Sequence, residues 1–305
     1  MTADVIEPGT IEAPVGQLPV LRLPDRSVFS SRSQRLHALA HGHSLGEYLE
    51  FLAALAEAQG EALALVSDVP LPSTVLLDRC REHGLPPLGV QGWSRAPAWR
   101  EVLRHLARTV ESLTVPDATR AAAGRLARAT NDELELLATP LLSGEYGKVD
   151  RACAPFVAGA LQVYWTHMAS RIDRSSIALP ETRSLCPVCG SPPVASVVRI
   201  GGVEQGLRYV SCSLCESQWH EVRIKCVSCQ STKGISYYSI EGDNSAIKAE
   251  CCDACQSYLK IFYMEQDPYV EAVADDVGSI ALDVLMADRG VDRSGVNFFL
   301  LGGDS

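Results

Sequence analysis

The sequence contains no long hydrophobic run and no excess of positive charge. A membrane-spanning helix needs about 18 consecutive apolar residues, and the nearest stretch, 48–66, is interrupted by Glu50, Glu57 and Glu61. Residues 1–24 lack a basic segment followed by an apolar one, so we expect no secretory signal. Acidic residues outnumber basic ones by 37 to 27, which gives a net charge of −10. We therefore expect neither a membrane span nor a large nucleic-acid-binding surface.

Familiar catalytic motifs are also missing from the sequence. It has no Walker loop, no Gly-x-Ser-x-Gly elbow and no dinucleotide-binding glycine fingerprint. His220 and Glu221 begin like a zinc-protease motif, but Ile224 stands where the second histidine would be. None of these motifs therefore points to a catalytic site.

Cysteine, by contrast, is abundant and clustered. The chain has 11 cysteines, and nine of them lie between Cys186 and Cys255. The number is odd, and we expect no export to an oxidising compartment. Metal ligands are therefore a better interpretation of the cluster than a disulfide framework.

The clustered cysteines form four Cys-x-x-Cys pairs, and the last two pairs repeat the first two at an offset of 40 residues. Two such pairs on facing turns bring four thiolates into a tetrahedron, which suits zinc or a single iron ion. The natural pairing predicts two sites: Cys186, Cys189, Cys212 and Cys215 form the first, and Cys226, Cys229, Cys252 and Cys255 form the second. An interleaved pairing stays open. Cys251 falls outside the repeat, and we interpret it as a spectator.

The residue that follows each pair bears on the shape of these turns. Gly190 follows the first pair, and glycine tolerates the left-handed backbone that is common at this place. Glu216, Gln230 and Gln256 follow the other pairs, so the sequence predicts the feature less strongly there.

Hydrophobic spacing divides the chain into a helical half and a strand-rich half. From Ser31 onwards apolar residues recur at helical spacing, with a predicted capping box at Ser44 and Glu47. Further helices are predicted over Ser73–His83, Pro97–Leu113, Asp117–Leu142 and Lys148–Ile172. Strands are predicted over Val194–Ile200, Leu207–Val210, His220–Ile224 and Ile235–Ile240. A helical pattern returns between Pro268 and Gly290.

The predicted fold class is therefore α+β: an all-helical N-terminal domain is followed by two tandem rubredoxin-like or zinc-ribbon β units and a C-terminal helix. The predicted units are an extended proline-rich arm over 1–30, a helical domain over 31–178, a first ribbon over 183–225, a second ribbon over 226–264, and an acidic C-terminal helix and tail over 265–305.

The whole pattern resembles the FdhE family of bacterial formate dehydrogenase accessory proteins. The resemblance rests on short motifs spread over nearly the full chain: Arg35-Leu36, Gly42-His43, Leu45-Gly46-Glu47-Tyr48-Leu49, Cys186-Pro187, Cys189-Gly190-Ser191, Gly206-Leu207-Arg208-Tyr209, Trp219-His220, Arg223-Ile224-Lys225-Cys226, Lys248-Ala249-Glu250, Tyr258-Leu259-Lys260 and Val273-Ala274-Asp275-Asp276. These motifs together are more specific than a ribbon alone.

The resemblance implies a cytoplasmic, non-enzymatic protein that binds the catalytic subunit of respiratory formate dehydrogenase. It implies a role in assembly, quality control or redox maturation of that subunit before export. It also implies two metal ions per chain and favours iron in rubredoxin-like sites, whereas the spacing alone permits zinc equally. It leaves homo-oligomerisation open. We expect the client to bind where helices and ribbons meet, near Trp219, His220, Arg223 and Lys225.

Two other function classes stay open at this point. One is a rubredoxin-like electron carrier or a thiol–disulfide oxidoreductase, because Cys-x-x-Cys pairs also serve disulfide exchange. The other is a zinc-ribbon nucleic-acid binder, which the negative charge disfavours.

Overall fold

The computed structural model describes residues 18–67, 69–180, 183–242 and 246–301. Residues 1–17, most of the predicted arm, lie outside the described residues. The described part opens with a short strand, β1 (Leu21–Arg22), and a helix then begins at Val28. The predicted unit boundaries stay predictions.

Seven helices make up the N-terminal half of the described chain. They are α1 (Val28–Ala40), α2 (Gly46–Leu65), α3 (Thr74–His83), α4 (Ala98–Glu111), α5 (Asp117–Arg128), α6 (Asn131–Ser143) and α7 (Ala154–Ala169). α7 is buried on every face, and α2, α4 and α6 pack against it. A helix that is apolar all round belongs in a core, so α7 is the centre of this domain. Within the described residues, no helix combines the length and apolarity that a membrane crossing requires.

The predicted helix over Asp117–Leu142 is two helices in the structure, and its division comes from a capping box at Thr130. The Thr130 hydroxyl accepts a hydrogen bond from the Glu133 amide at 3.3 Å, and the Glu133 carboxylate accepts one from the Thr130 amide at 2.7 Å. The capping box predicted at Ser44 is wrong. His43 Nδ1 accepts the Leu45 amide at 3.0 Å, and α2 has no side-chain cap.

Thr130, which caps a helix, and Ser44, which does not, provide a stability test. We expect Thr130→Ala to lower the free energy of unfolding by about 1 kcal/mol, because it leaves the Glu133 amide in the first turn of α6 without its side-chain acceptor. The matched variant Ser44→Ala should change it by less than about 0.5 kcal/mol, since Ser44 is exposed and caps nothing. Urea unfolding followed by circular dichroism measures both. Equal effects of the two variants would contradict the assignment.

The strand-rich half forms a single sheet with β1. Its remaining strands are β2 (Pro193–Val198), β3 (Arg208–Cys212), β4 (Gln218–His220), β5 (Ile235–Tyr238), β6 (Ile247–Cys252), β7 (Ser257–Tyr263) and β8 (Asp292–Arg293). The strand order is β1-β4-β3-β2-β7-β6-β5, and β8 pairs with β7. Each predicted ribbon contributes three antiparallel strands.

The two ribbons are joined rather than merely consecutive. β2 pairs with β7 in parallel, with Ser196 opposite Ile261. A buried ion pair adds a second connection: Arg208 Nη2 on β3 lies 2.7 Å from Glu250 Oε1 on β6. The strands of the two ribbons are therefore joined by backbone pairing and by this ion pair.

The C-terminal helical pattern is divided into α8 (Ala272–Gly278) and α9 (Ile280–Asp288). Ser279 Oγ donates to the Asp275 carbonyl at 2.6 Å, and Lys260 Nζ donates to the Asp276 carbonyl at 2.8 Å. Side chains thus engage carbonyls that a continuous helix would use for its own amides. The predicted fold class is confirmed, with this one division in its last element.

Candidate metal centres

The structure brings each predicted set of four cysteines together, and the sets are not interleaved. Within each set the sulfur atoms all lie within 4.8 Å of one another. In the first set the closest sulfur pairs are Cys186–Cys215 at 3.6 Å and Cys189–Cys212 at 3.4 Å. In the second set they are Cys226–Cys255 at 3.7 Å and Cys229–Cys252 at 3.6 Å.

These distances have the size of a metal-centred tetrahedron. Four sulfurs at ~2.3 Å from a zinc ion lie about 3.8 Å apart, and iron in four thiolates is of similar size. Both sets therefore fit one zinc or one iron ion each. The chain has two four-cysteine groups that could hold two metal ions.

All four cysteine turns share one backbone shape. The residue after the second cysteine is left-handed each time, with φ of 75° at Gly190, 60° at Glu216, 64° at Gln230 and 53° at Gln256. Glycine is therefore not needed at this place, and the four turns are more alike than the sequence predicts. The closed turn also points amides at sulfur: the amides of Leu214 and Cys215 lie 3.3 and 3.4 Å from Cys212 Sγ. Such amides favour a thiolate over a thiol.

The helical domain encloses the first site. All four cysteines are buried. The Leu88 amide donates to the Val188 carbonyl at 2.9 Å and the Val90 amide to the Cys189 carbonyl at 3.0 Å. On the opposite turn, Gln162 Nε2 of α7 donates to the Ser213 carbonyl at 2.9 Å. Both turns of this site are therefore part of the protein core.

The second site is half open to solvent. Cys226 and Cys252 are buried, whereas Cys229 is exposed and Cys255 is half-buried. Cys255 Sγ also lies 3.1 Å from Ser257 Oγ. Cys251, the predicted spectator, lies outside both sets and packs with Leu282 and Met286.

Burial makes several of these thiols weak acids in the absence of a cation. Burial raises the pKa of Cys212 and Cys215 well above the usual range, and it raises the pKa of Cys226 to about 12. A bound divalent ion supplies the positive charge that lets such thiols ionise. Within each set one thiol differs from the others: against the effect of burial, hydrogen bonds from neighbouring thiols lower the pKa of Cys189, and those from Ser257 and neighbouring thiols lower the pKa of Cys255 to about 7. Metal binding to either set would therefore release protons from the remaining thiols.

A buried ion pair connects the first site to the helical domain. Arg32 Nη2 on α1 lies 2.7 Å from Glu216 Oε2 and 3.0 Å from Glu271 Oε1. Glu216 directly follows Cys215, and burial raises the pKa of its carboxyl to about 7. The sequence does not indicate this contact, because an arginine on an amphipathic helix is normally on the surface.

The expected client surface needs a correction. Trp219 is fully buried, at 0% exposure, and its indole N–H donates to the Arg183 carbonyl at 3.1 Å, so it is not accessible to a partner. The predicted strand over His220–Ile224 is wrong beyond its first residue, because β4 ends at His220. Beyond that residue the chain forms an irregular loop that exposes Val222 and Ile224 to 58% and 59%.

A helical domain that carries two tetracysteine ribbons in one continuous sheet is the architecture of a paired-ribbon protein with two candidate metal centres. Three family models match successive parts of the chain: "FdhE, N-terminal" over 18–181, "FdhE, central domain" over 185–223 and "FdhE, C-terminal domain" over 224–300. The chain belongs to the FdhE family.

Individual relatives match along nearly their whole length. "Protein FdhE homolog" of Serratia proteamaculans is 44% identical over 286 residues, which cover 93% of this chain and 92% of the relative. The homolog of Stutzerimonas stutzeri is 40% identical and covers 99% of both chains. The crystal structure of the FdhE protein from Pseudomonas aeruginosa has a TM-score of 0.84 and 37% identity, and it covers 94% of this chain and 100% of that one.

Proposed function

We propose that this chain is a non-enzymatic accessory protein that binds the catalytic subunit of formate dehydrogenase in the cytoplasm and supports its maturation. The observation that carries the proposal is family membership along nearly the whole chain, together with two cysteine sets of metal-binding size. The identity of the client, the catalytic subunit, is inferred from the resemblance to FdhE accessory proteins.

We further propose that each cysteine set holds one metal ion. The ligands would be Cys186, Cys189, Cys212 and Cys215 in the first site and Cys226, Cys229, Cys252 and Cys255 in the second. The resemblance favours iron, which in four thiolates can carry one electron, whereas zinc has no redox chemistry. The chain's own contribution is to align the sulfurs, to direct amides at them and to exclude water from the first site.

The client surface that we propose is the inter-ribbon loop, Val222-Arg223-Ile224. Two large apolar side chains are exposed there on either side of an arginine. Ile224 has a φ of 60°, which costs a residue with a Cβ roughly 1–2 kcal/mol. Backbone strain of this kind is concentrated at binding and switch sites. Lys225, by contrast, pairs with Glu221 at 3.2 Å and is only 21% exposed, so it is a poorer contact.

We expect the double variant Val222→Asp, Ile224→Asp to weaken binding of the catalytic subunit about tenfold or more, since it places charge where apolar contact would form. The measurement is the dissociation constant of the full-length protein for the purified catalytic subunit, by calorimetry.

The matched control is Leu136→Asp, which also replaces an exposed apolar residue, here at 73% exposure on α6 of the helical domain. It should bind the subunit as the wild type does. Unchanged binding by the double variant would contradict the proposed surface. Failure of the wild type to bind the subunit would contradict the proposed function.

A further inference from the structure

We propose that the two sites differ in lability. The second site exchanges its metal with a thiolate-bearing acceptor or donor through Cys229, whereas the first site retains its metal for the life of the fold. This inference rests on the proposal that both cysteine sets bind metal, and it adds a division of labour between them. On this proposal the second ribbon carries a metal-exchange site and not a second structural metal site.

The first observation is the accessibility of the sulfur atoms. The four residues of the first set are between 0% and 2% exposed. An incoming ligand therefore has no path to that metal without opening the core. In the second set Cys229 is exposed and Cys255 is half-buried, so two of the four sulfurs face solvent.

The second observation is what holds each turn in place. The turns of the first site are bound to the helical domain through Val188, Cys189 and Ser213, and Glu216 is paired with Arg32. Displacing a sulfur there would break contacts in two domains at once.

The turns of the second site are held differently. The carbonyl of Ser231 accepts the Cys226 amide, and the carbonyl of Gly234 accepts the Asp253 amide, both at 2.9 Å. The carbonyl of Gln256 accepts the Asp292 amide at 3.0 Å. These hydrogen bonds come from the second ribbon itself and from β8. Val227, between Cys226 and Cys229, is buried in the main core. Cys229 itself and the turn of Cys252 and Cys255, by contrast, are bound to the second ribbon and to β8. Local opening of such a turn needs less free energy than opening of a core.

The difference in burial within the second set also indicates which cysteine sulfurs an incoming ligand replaces first. Cys229 and Cys255 lie on different turns, whereas Cys226 and Cys252 stay buried beneath them. A ligand can therefore replace one exposed sulfur while three sulfurs keep the ion bound.

The chemistry of the exchange is ligand substitution. An incoming thiolate forms a bond to the metal while the bond between the metal and Cys229 Sγ breaks. Cys229 leaves as a thiolate and takes a proton from water. Neither the metal nor any sulfur changes oxidation state, so the step needs no oxidant or reductant. Repetition at Cys255, and then at Cys226 and Cys252, would break the remaining three bonds and transfer the ion to the acceptor.

The test measures zinc release from the full-length protein, prepared without oxygen and loaded with two equivalents of zinc. Reduced glutathione is the thiolate probe, and a coloured chelator reports the freed ion. We expect two phases of one equivalent each, with rates about 100-fold or more apart, because opening of a surface turn is far more frequent than opening of a core. The fast rate should rise with glutathione concentration.

Alkylation by excess iodoacetamide of samples withdrawn at successive times assigns the phases without any variant. Mass spectrometry should find Cys229 and Cys255 modified as the first zinc leaves, and Cys186 to Cys215 modified only with the second. A Cys229→His variant, which keeps four ligands, should alter the fast phase and leave the slow phase unchanged.

Three results would overturn the inference. They are release of both ions at one rate, a fast phase that tracks modification of the first set, and a disulfide found within the second set of the protein as isolated. Fewer than two zinc ions bound by the wild type would overturn the metal assignment itself. The proposed function is tested independently, by the binding of the catalytic subunit described above.

Discussion

Replacing Cys189 by serine should unfold the first ribbon and loosen the helical domain, whereas replacing Cys229 should leave the helical domain intact. A structural zinc site contributes roughly 10 kcal/mol or more of apparent binding free energy, which is comparable to the whole stability of a domain, about 5–15 kcal/mol. Loss of either site is therefore a large perturbation. How far the loss of stability spreads through the protein depends on which residues the site contacts.

The two sites touch different parts of the protein. The Cys189 carbonyl accepts a hydrogen bond from Val90, and its neighbour Val188 is fully buried in the main core. Cys229 is at the surface of the second ribbon. Loss of the first site should therefore spread into the helices, and loss of the second should stay local.

Hydrogen exchange of the α7 amides is the decisive comparison between these variants. Cys189→Ser should lower their protection by about 100-fold or more, and Cys229→Ser by less than about threefold, because exchange reports the free energy of local opening. Each variant should lose about one metal ion per chain. Equal protection of α7 in the two variants would contradict the unequal coupling of the sites.

Replacing Arg32 by methionine should strongly destabilise the protein, because Arg32 is the buried cation at the junction of the helical domain and the first ribbon. Glu216 and Glu271 would then lose the cation that now lies 2.7 and 3.0 Å from them at the domain junction. Removing one partner of a buried ion pair costs about 3–5 kcal/mol. The matched control is Arg81→Met, whose partner Asp78 is exposed at 3.4 Å; it should cost less than about 1 kcal/mol.

A second substitution separates the charge effect from simple loss of packing. In the Arg32→Met, Glu216→Gln double variant a neutral amide replaces the Glu216 carboxyl, and glutamine already occupies the equivalent left-handed position at Gln230 and Gln256. The double variant should therefore recover part of the lost stability in urea unfolding. A single variant as stable as the wild type, or no recovery in the double variant, would show that the pair does not hold the junction together.

The cysteine sets were the most predictable feature of this chain, for a physical reason. Two ligands three residues apart on one turn, repeated at a constant offset, are a local pattern that needs no tertiary information. The helices of the N-terminal domain are predictable for a similar reason, since apolar spacing indicates which face of a helix is buried. The fold class followed from these two local signals.

The features that sequence analysis missed depend on non-local contacts. The parallel pairing of β2 with β7 joins residues far apart in the chain, with Ser196 opposite Ile261. The capping motif at Ser44 has the same letters as a true one, but His43 takes the amide instead. Arg32 and Glu216 meet only after both domains have folded, and no local spacing indicates a buried arginine.

X-ray absorption with metal analysis, on full-length protein purified without oxygen, tests the two-site assignment most directly. The result we expect is two metal ions per chain, iron or zinc, each with four sulfur neighbours at about 2.3 Å. Fewer than one ion per chain, or nitrogen and oxygen neighbours in place of sulfur, would contradict the assignment of the eight cysteines as ligands.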